Sequence, residues 1–226
     1  MVNKLIIPKS AVLRYLGHKN QIISENLDSL VEQCIEECKK LIMPKFIKRE
    51  YNISFDKDGV NVVNTTLVFK GEDIKKHLQY AEKIVLMAAT LGNVIEKKIA
   101  YYEKVDMTKA VILDSCATTA IEEVCDLIDI DIKKEALRNN KGTTFRYSPG
   151  YGDLPLDVQG DLLNTLQADK IIGLNVSAHN ILLPRKSVTA IIGIVPIEKN
   201  TQKRTCEVCA NYATCNFRKE GVTCGN

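Results

Sequence analysis

The sequence predicts an α+β fold, a mainly antiparallel twisted sheet flanked by helices. Three observations lead to it. Strand-like and helix-like runs alternate without the regular strand–helix–strand period that builds a parallel sheet. Two strand-like runs, 46–55 and 60–69, are separated only by the turn residues 56–59, which makes a hairpin. The continuous apolar run over 83–89 is the pattern of a central strand buried on both faces.

Taken in order, 9–16 reads as a short helix ended by Gly17. Leu27, Leu30, Val31, Cys34, Ile35, Cys38 and Leu41 recur at spacings of three and four, so this stretch is an amphipathic helix closed by Pro44. Cys34 and Cys38 lie on its apolar stripe and read as core thiols rather than metal ligands. After the hairpin, 71–80 reads as a short helix. After the 83–89 strand, Thr90-Leu91-Gly92 turns the chain into a helix over 93–103. A long helix over 107–137 follows. Its stretch 110–117 is small and apolar on nearly every side, as in a helix packed by several neighbours. Asp114 inside it requires a partner. Residues 142–147 read as a short strand and 148–155 as a shaped loop, since it holds Pro149, Pro155, Gly150 and Gly152. Then come a helix over 156–166, a short helix or turn over 167–173 and a strand over 187–195. The composition turns polar near Ile197. Residues 1–197 are therefore expected to form the α+β domain and 198–226 a cysteine-rich C-terminal tail.

Composition narrows the function. The net charge is only +3, from 31 Lys+Arg against 28 Asp+Glu, and no basic block is interleaved with aromatics, so nucleic acid is not an expected partner. No apolar run reaches the roughly 18 residues of a membrane span, and 1–9 lacks the apolar segment of a signal peptide. The expected location is cytoplasmic. Trp is absent and aromatics are 6%, so the core must be aliphatic.

Of eight cysteines, four crowd the C-terminus: Cys206, Cys209, Cys215 and Cys224. In a reducing compartment such a cluster points to metal rather than disulfides. One close Cys-x-x-Cys pair with two further thiols can close around a single iron–sulfur cluster or zinc ion; spacing leaves both open. His18, His77 and His179 are isolated and read as structural. There is no P-loop, nucleophile elbow or dinucleotide fingerprint.

The sharpest chemical signal is the loop that starts at Arg146. Arg146 stands at a strand end, facing a loop in which Gly150 and Gly152 admit a ligand close to backbone and the prolines hold the shape. Its guanidinium suits a carboxylate or phosphate, and Tyr151 adds an aromatic face and a hydroxyl. Arg146-Tyr147-Ser148-Pro149-Gly150-Tyr151 with Pro155 resembles the R-P-A-P-G-Y-x-x-x-P segment of the activation domain of cobalamin-dependent methionine synthase. Three more stretches resemble that family in the same order: Met87-Ala88-Ala89-Thr90-Leu91-Gly92, Leu113-Asp114-Ser115-Cys116-Ala117 through Glu123, and Leu183-Pro184-Arg185-Lys186-Ser187-Val188-Thr189-Ala190.

The resemblance implies a freestanding, short member of that family, with its α+β fold. It implies a protein that assists reductive methylation of cob(II)alamin, with S-adenosylmethionine (SAM) as methyl donor. Arg146, Ser148, Pro149, Gly150 and Tyr151 would contact SAM, Arg146 holding its carboxylate; Asp114 and Glu123 are candidates to stand behind them, though a structural role is the preferred reading of both. The cobalamin would be carried by the partner, a cobalamin-binding methyltransferase such as a methionine synthase lacking its own activation domain. The chain departs from the family at Ile191, Ile192 and Gly193, where the synthase domain is aromatic, and at 152–157. The alternative reading is a module that caps the corrinoid domain without SAM, or delivers an electron through a C-terminal metal site.

Overall fold

The computed structural model describes residues 5–19 and 21–200. The elements are α1 (Lys9–Tyr15), α2 (Glu25–Leu41), β1 (Lys45–Phe55), β2 (Val60–Val62), β3 (Val68–Phe69), α3 (Glu72–Leu78), β4 (Lys83–Thr90), α4 (Val94–Val105), α5 (Met107–Arg138), β5 (Lys141–Thr143), α6 (Val158–Leu166), α7 (Ala168–Ile172), β6 (Asn175–Val176), β7 (Leu182–Leu183) and β8 (Ser187–Pro196). Six strands form one sheet in the order β3-β2-β1-β4-β8-β5, every neighbouring pair antiparallel. β6 and β7 make a separate hairpin.

β4 and β8 lie inside the sheet, and their alternation feeds two cores. Val85, Met87, Ala89, Ala190 and Ile192 face α1, α2, α4 and α5. Ile84, Leu86, Ala88, Ile191 and Val195 face the opposite layer, made by α3, α6, α7 and the β2–β3 turn. Adjacent residues of a strand serve opposite faces, so an unbroken apolar run is what a sheet covered on both sides requires. Cys34, Cys38, Cys116 and Cys125 are all buried in the first core, as the apolar stripe predicted for the first two. Asp106 joins α4 to α5: its backbone N–H closes α4 on the Tyr102 carbonyl, and its carboxylate caps α5 by accepting from Lys109 N–H at 3.1 Å.

Two expectations need revision, and one hairpin was not expected. The 60–69 run is two short strands, because Val62 N–H bonds to the Leu67 carbonyl around a turn in which Asn64 is left-handed (φ 63°). Asn64-Thr65-Thr66 was the turn signal hidden in a β-branched run. The 142–147 strand breaks after Thr143: Thr144 Oγ1, rather than a backbone carbonyl, accepts the Gly193 N–H at 2.8 Å. Thr144 N–H still reaches the Gly193 carbonyl at 2.9 Å, and the next paired residue is Tyr147 opposite Ile191, so residues 144–146 face two residues of β8, a one-residue bulge. The β6–β7 hairpin had no sequence expectation. It precedes a cis Leu183–Pro184 bond that leads into β8.

Candidate ligand site at the 146–155 loop

The bulge decides where the loop's side chains go. Tyr147 points into the second core, with its ring 4.9 Å from His77. Arg146, one residue earlier, therefore leaves on the other face, toward α5. Its Nη2 donates to Asp126 Oδ1 at 2.7 Å and lies 3.5 Å from Glu122 Oε2. The sequence placed Arg146 facing the loop; the structure turns its side chain to α5, because a strand-like backbone alternates. Burial works against its charge, but Cys125 in its ionised form and the Asp126, Glu122 and Asp129 carboxylates more than offset this, so its pKa lies above the ordinary arginine value. The side chain is 20% exposed.

The loop is internally bonded. Gly150 N–H reaches the Leu154 carbonyl at 2.8 Å, Tyr151 N–H the Ser148 carbonyl at 3.1 Å and Leu154 N–H the Tyr151 carbonyl at 3.0 Å. The Tyr147 hydroxyl donates to the Tyr151 carbonyl at 3.1 Å. Burial, with Asp73 and Asp153 nearby, pushes the Tyr147 pKa up to about 12, so the hydroxyl keeps its proton and can donate. Asp153 fastens the loop from outside by capping α3: its carboxylate accepts from Glu72 N–H at 2.6 Å and Asp73 N–H at 3.2 Å. Gly152 is left-handed (φ 52°), and a Cβ there would strike the Asp73 carboxylate and the Tyr147 hydroxyl. Pro149 is buried, Ser148 half-buried, and Gly150 and Tyr151 are exposed. The loop thus presents Gly150 and the Tyr151 ring outward on a fixed base.

Beside the loop the sheet is open. On the β5 side of β8, pairing stops at Ile191, and residues 187–190 have no strand partner there among the described residues. On α5, Asp114, Thr118, Glu122 and Asp126 follow at four-residue spacing, a polar stripe about 18 Å long. Lys186 meets its first half: Nζ lies 2.8 Å from both Asp114 Oδ1 and Thr118 Oγ1, and Lys186 N–H donates to Glu96 Oε1 at 2.7 Å. Arg146 meets its second half. Asp114 thus pairs with Lys186, but its side chain is 46% exposed, so the carboxylate is less confined than the apolar sequence around it implied. Glu123, one step round the helix, is half-buried; burial, then Asp126, raise its pKa.

Sequence reasoning found the loop but not these partners. Glu122 and Asp126 are legible as an i,i+4 pair, but nothing in the chain says which cation faces them. His77 is held by the fold: Nε2 lies 2.8 Å from Thr144 Oγ1 and the ring packs edge-on at 4.4 Å from Phe145. His179 is exposed in the β6–β7 turn, where its N–H donates to Ser177 Oγ. An open polar hollow of about 420 Å³, lined by Tyr51, Asn64, Thr65, Thr66, Asp161, Asn164 and Thr165, lies between the β2–β3 turn and α6 and includes no loop residue. Cys206, Cys209, Cys215 and Cys224 lie outside the described residues. Among the described residues no group of three His, Cys, Asp or Glu could hold a metal, and no helix is long and apolar enough to cross a membrane.

No family model matches the chain, and no curated protein is similar to it. Among solved structures, its fold matches the MetH reactivation domain bound to AdoHcy, with a TM-score of 0.61 over 93% of this chain and 77% of that one. The sequences are 14% identical, so the likeness is one of fold. The expected fold class, an antiparallel α+β sheet flanked by helices, is the one observed.

Proposed function

We propose that this chain is a freestanding reactivation module for a cobalamin-dependent methyltransferase, most simply a methionine synthase without its own such domain, and that it presents SAM at the 146–155 loop. The observation that carries the reading is the fold match, which spans nearly the whole chain and is to a reactivation domain bound to AdoHcy. The site's composition supports it. The chemistry available along this stretch of chain suits a ligand with an amino-acid end and a flat ring: a guanidinium at Arg146 on the α5 side, the exposed Gly150 backbone and Tyr151 in the loop, and the 187–190 edge of β8, which has no strand partner on the β5 side among the described residues. A cation over an aromatic face is attracted by it, which suits Tyr151 to a sulfonium. SAM would supply a transferable methyl; this chain's share is to hold and orient it against the partner's corrinoid. The test is calorimetric titration with AdoHcy and SAM, then capture of a cobalamin-bearing methyltransferase and its reactivation from cob(II)alamin. Failure to bind either ligand and failure to accelerate reactivation would end this reading.

A second reading, a corrinoid-capping module without SAM, is favoured by one observation. Ile191 and Ile192, which stand where the synthase domain is aromatic, are fully buried in the two cores and cannot line a surface groove. Reactivation without ligand binding would select it.

The same proposal extends to the tail. We infer that residues 1–197 form the folding unit and that Cys206, Cys209, Cys215 and Cys224 bind an iron–sulfur cluster or zinc, with a cluster available to pass an electron. Asn200, the last described residue, accepts from Thr143 N–H on β5 at 3.3 Å. Anaerobically purified protein is expected to contain iron and sulfide, or zinc. Metal-free protein after reconstitution would remove the site.

A further inference from the structure

Arg146 is not presented to a ligand as an unengaged charge. Asp126 occupies its Nη2 at 2.7 Å with Glu122 beside it at 3.5 Å. The two sides of this contact differ in what they have to give up. The Arg146 side chain is four-fifths covered, whereas the Asp126 side chain is 58% exposed and the Glu122 side chain 47% exposed. A carboxylate in that setting gains little from the pair, because water solvates it almost as well when it swings out. Nη2 belongs to both two-point edges of the guanidinium, so a ligand carboxylate that pairs with Arg146 in two-point fashion engages the nitrogen Asp126 now holds.

We propose that Asp126, with Glu122 as its lesser companion, is an intramolecular competitor for Arg146: an α5 latch that a ligand carboxylate displaces, and that sets the affinity of the loop site for the amino-acid end of its ligand. This rests on the reading of Arg146 as the anchor of that end. The latch gives a largely covered guanidinium a carboxylate partner when no ligand is present, which offsets part of the cost of holding that charge away from water. It weakens binding by the modest worth of the pair it gives up. It acts only on ligands that carry a carboxylate.

The experiment compares Asp126→Asn with the unaltered full-length chain by calorimetry, using AdoHcy and 5′-methylthioadenosine, which shares the adenosyl thioether and lacks the amino-acid end. Asp126→Asn is expected to bind AdoHcy about two- to fivefold tighter, the range set by an exposed ion pair, with 5′-methylthioadenosine unchanged. Glu122→Gln, at the longer distance, should show the same sign and a smaller change. Circular dichroism of both variants verifies that α5 is intact. Equal or weaker AdoHcy binding by Asp126→Asn overturns the latch and leaves the loop site standing; so does an equal gain for both ligands. No AdoHcy binding by the unaltered chain overturns the loop site and the latch together.

Discussion

The Lys186 ammonium lies 2.8 Å from Asp114 Oδ1 and 2.8 Å from the Thr118 hydroxyl, tying the residue that precedes β8 to the N-terminal half of α5. Lys186 is 16% exposed and Asp114 46%. The asymmetry predicts the mutational result. Asp114→Ala leaves a largely covered ammonium with a hydroxyl as its remaining side-chain partner and should lower stability by about 1–3 kcal/mol. Lys186→Met should cost less, because the freed carboxylate is half in water. Urea unfolding of the two variants compares them directly, and a larger loss for Lys186→Met would contradict the account.

Asp153 is the loop's fastening to α3, whose N-cap residue is Gly71 and supplies no side chain of its own. Asp153→Ala should cost about 1 kcal/mol, the usual worth of a helix cap. It should also speed proteolysis within 148–155 while leaving cleavage elsewhere unchanged. Uniform acceleration at all sites would mean that Asp153 supports global stability alone.

Arg146→Ala should weaken AdoHcy binding by about 1.5–3 kcal/mol, the scale of a charge-assisted hydrogen bond, and slow reactivation in proportion. Arg146→Lys should restore only part, since an ammonium lacks the planar fork. Unchanged binding in Arg146→Ala would remove the residue from the site.

The buried thiols give a pH prediction. Burial raises the pKa of Cys34 to about 11 and those of Cys38 and Cys125 to about 12, and raises Cys116 further in the same direction. These thiols ionise first in the unfolded chain, near their ordinary value of 9.0. Their contribution to stability is complete below about pH 9 and is lost as pH rises toward 11–12. Urea midpoints should therefore fall with pH above 9, and less steeply in a Cys38→Ala variant once its own packing loss is subtracted. In the native protein at pH 8 these four should resist alkylation, and all eight cysteines should react after denaturation. Rapid native modification of Cys38 would refute the burial.

Much of the fold is written in local chemistry. The stripe from Leu27 to Leu41 and the apolar run of β4 are short-range patterns of period, and each produced the element it implied. The loop was also legible, since Pro149, Gly150, Gly152 and Pro155 restrict backbone angles whatever surrounds them. The direction of Arg146 was not. It depends on a bulge made when the Thr144 hydroxyl takes the Gly193 N–H, a contact across 49 residues. Nor were the pairings Lys186–Asp114, Arg146–Asp126 and Asp153 with α3, which join residues 72, 20 and about 80 positions apart. A side chain's type states what partner it can take. Only the packing of β8 against α5, and of the loop against α3, brings that partner within 3 Å.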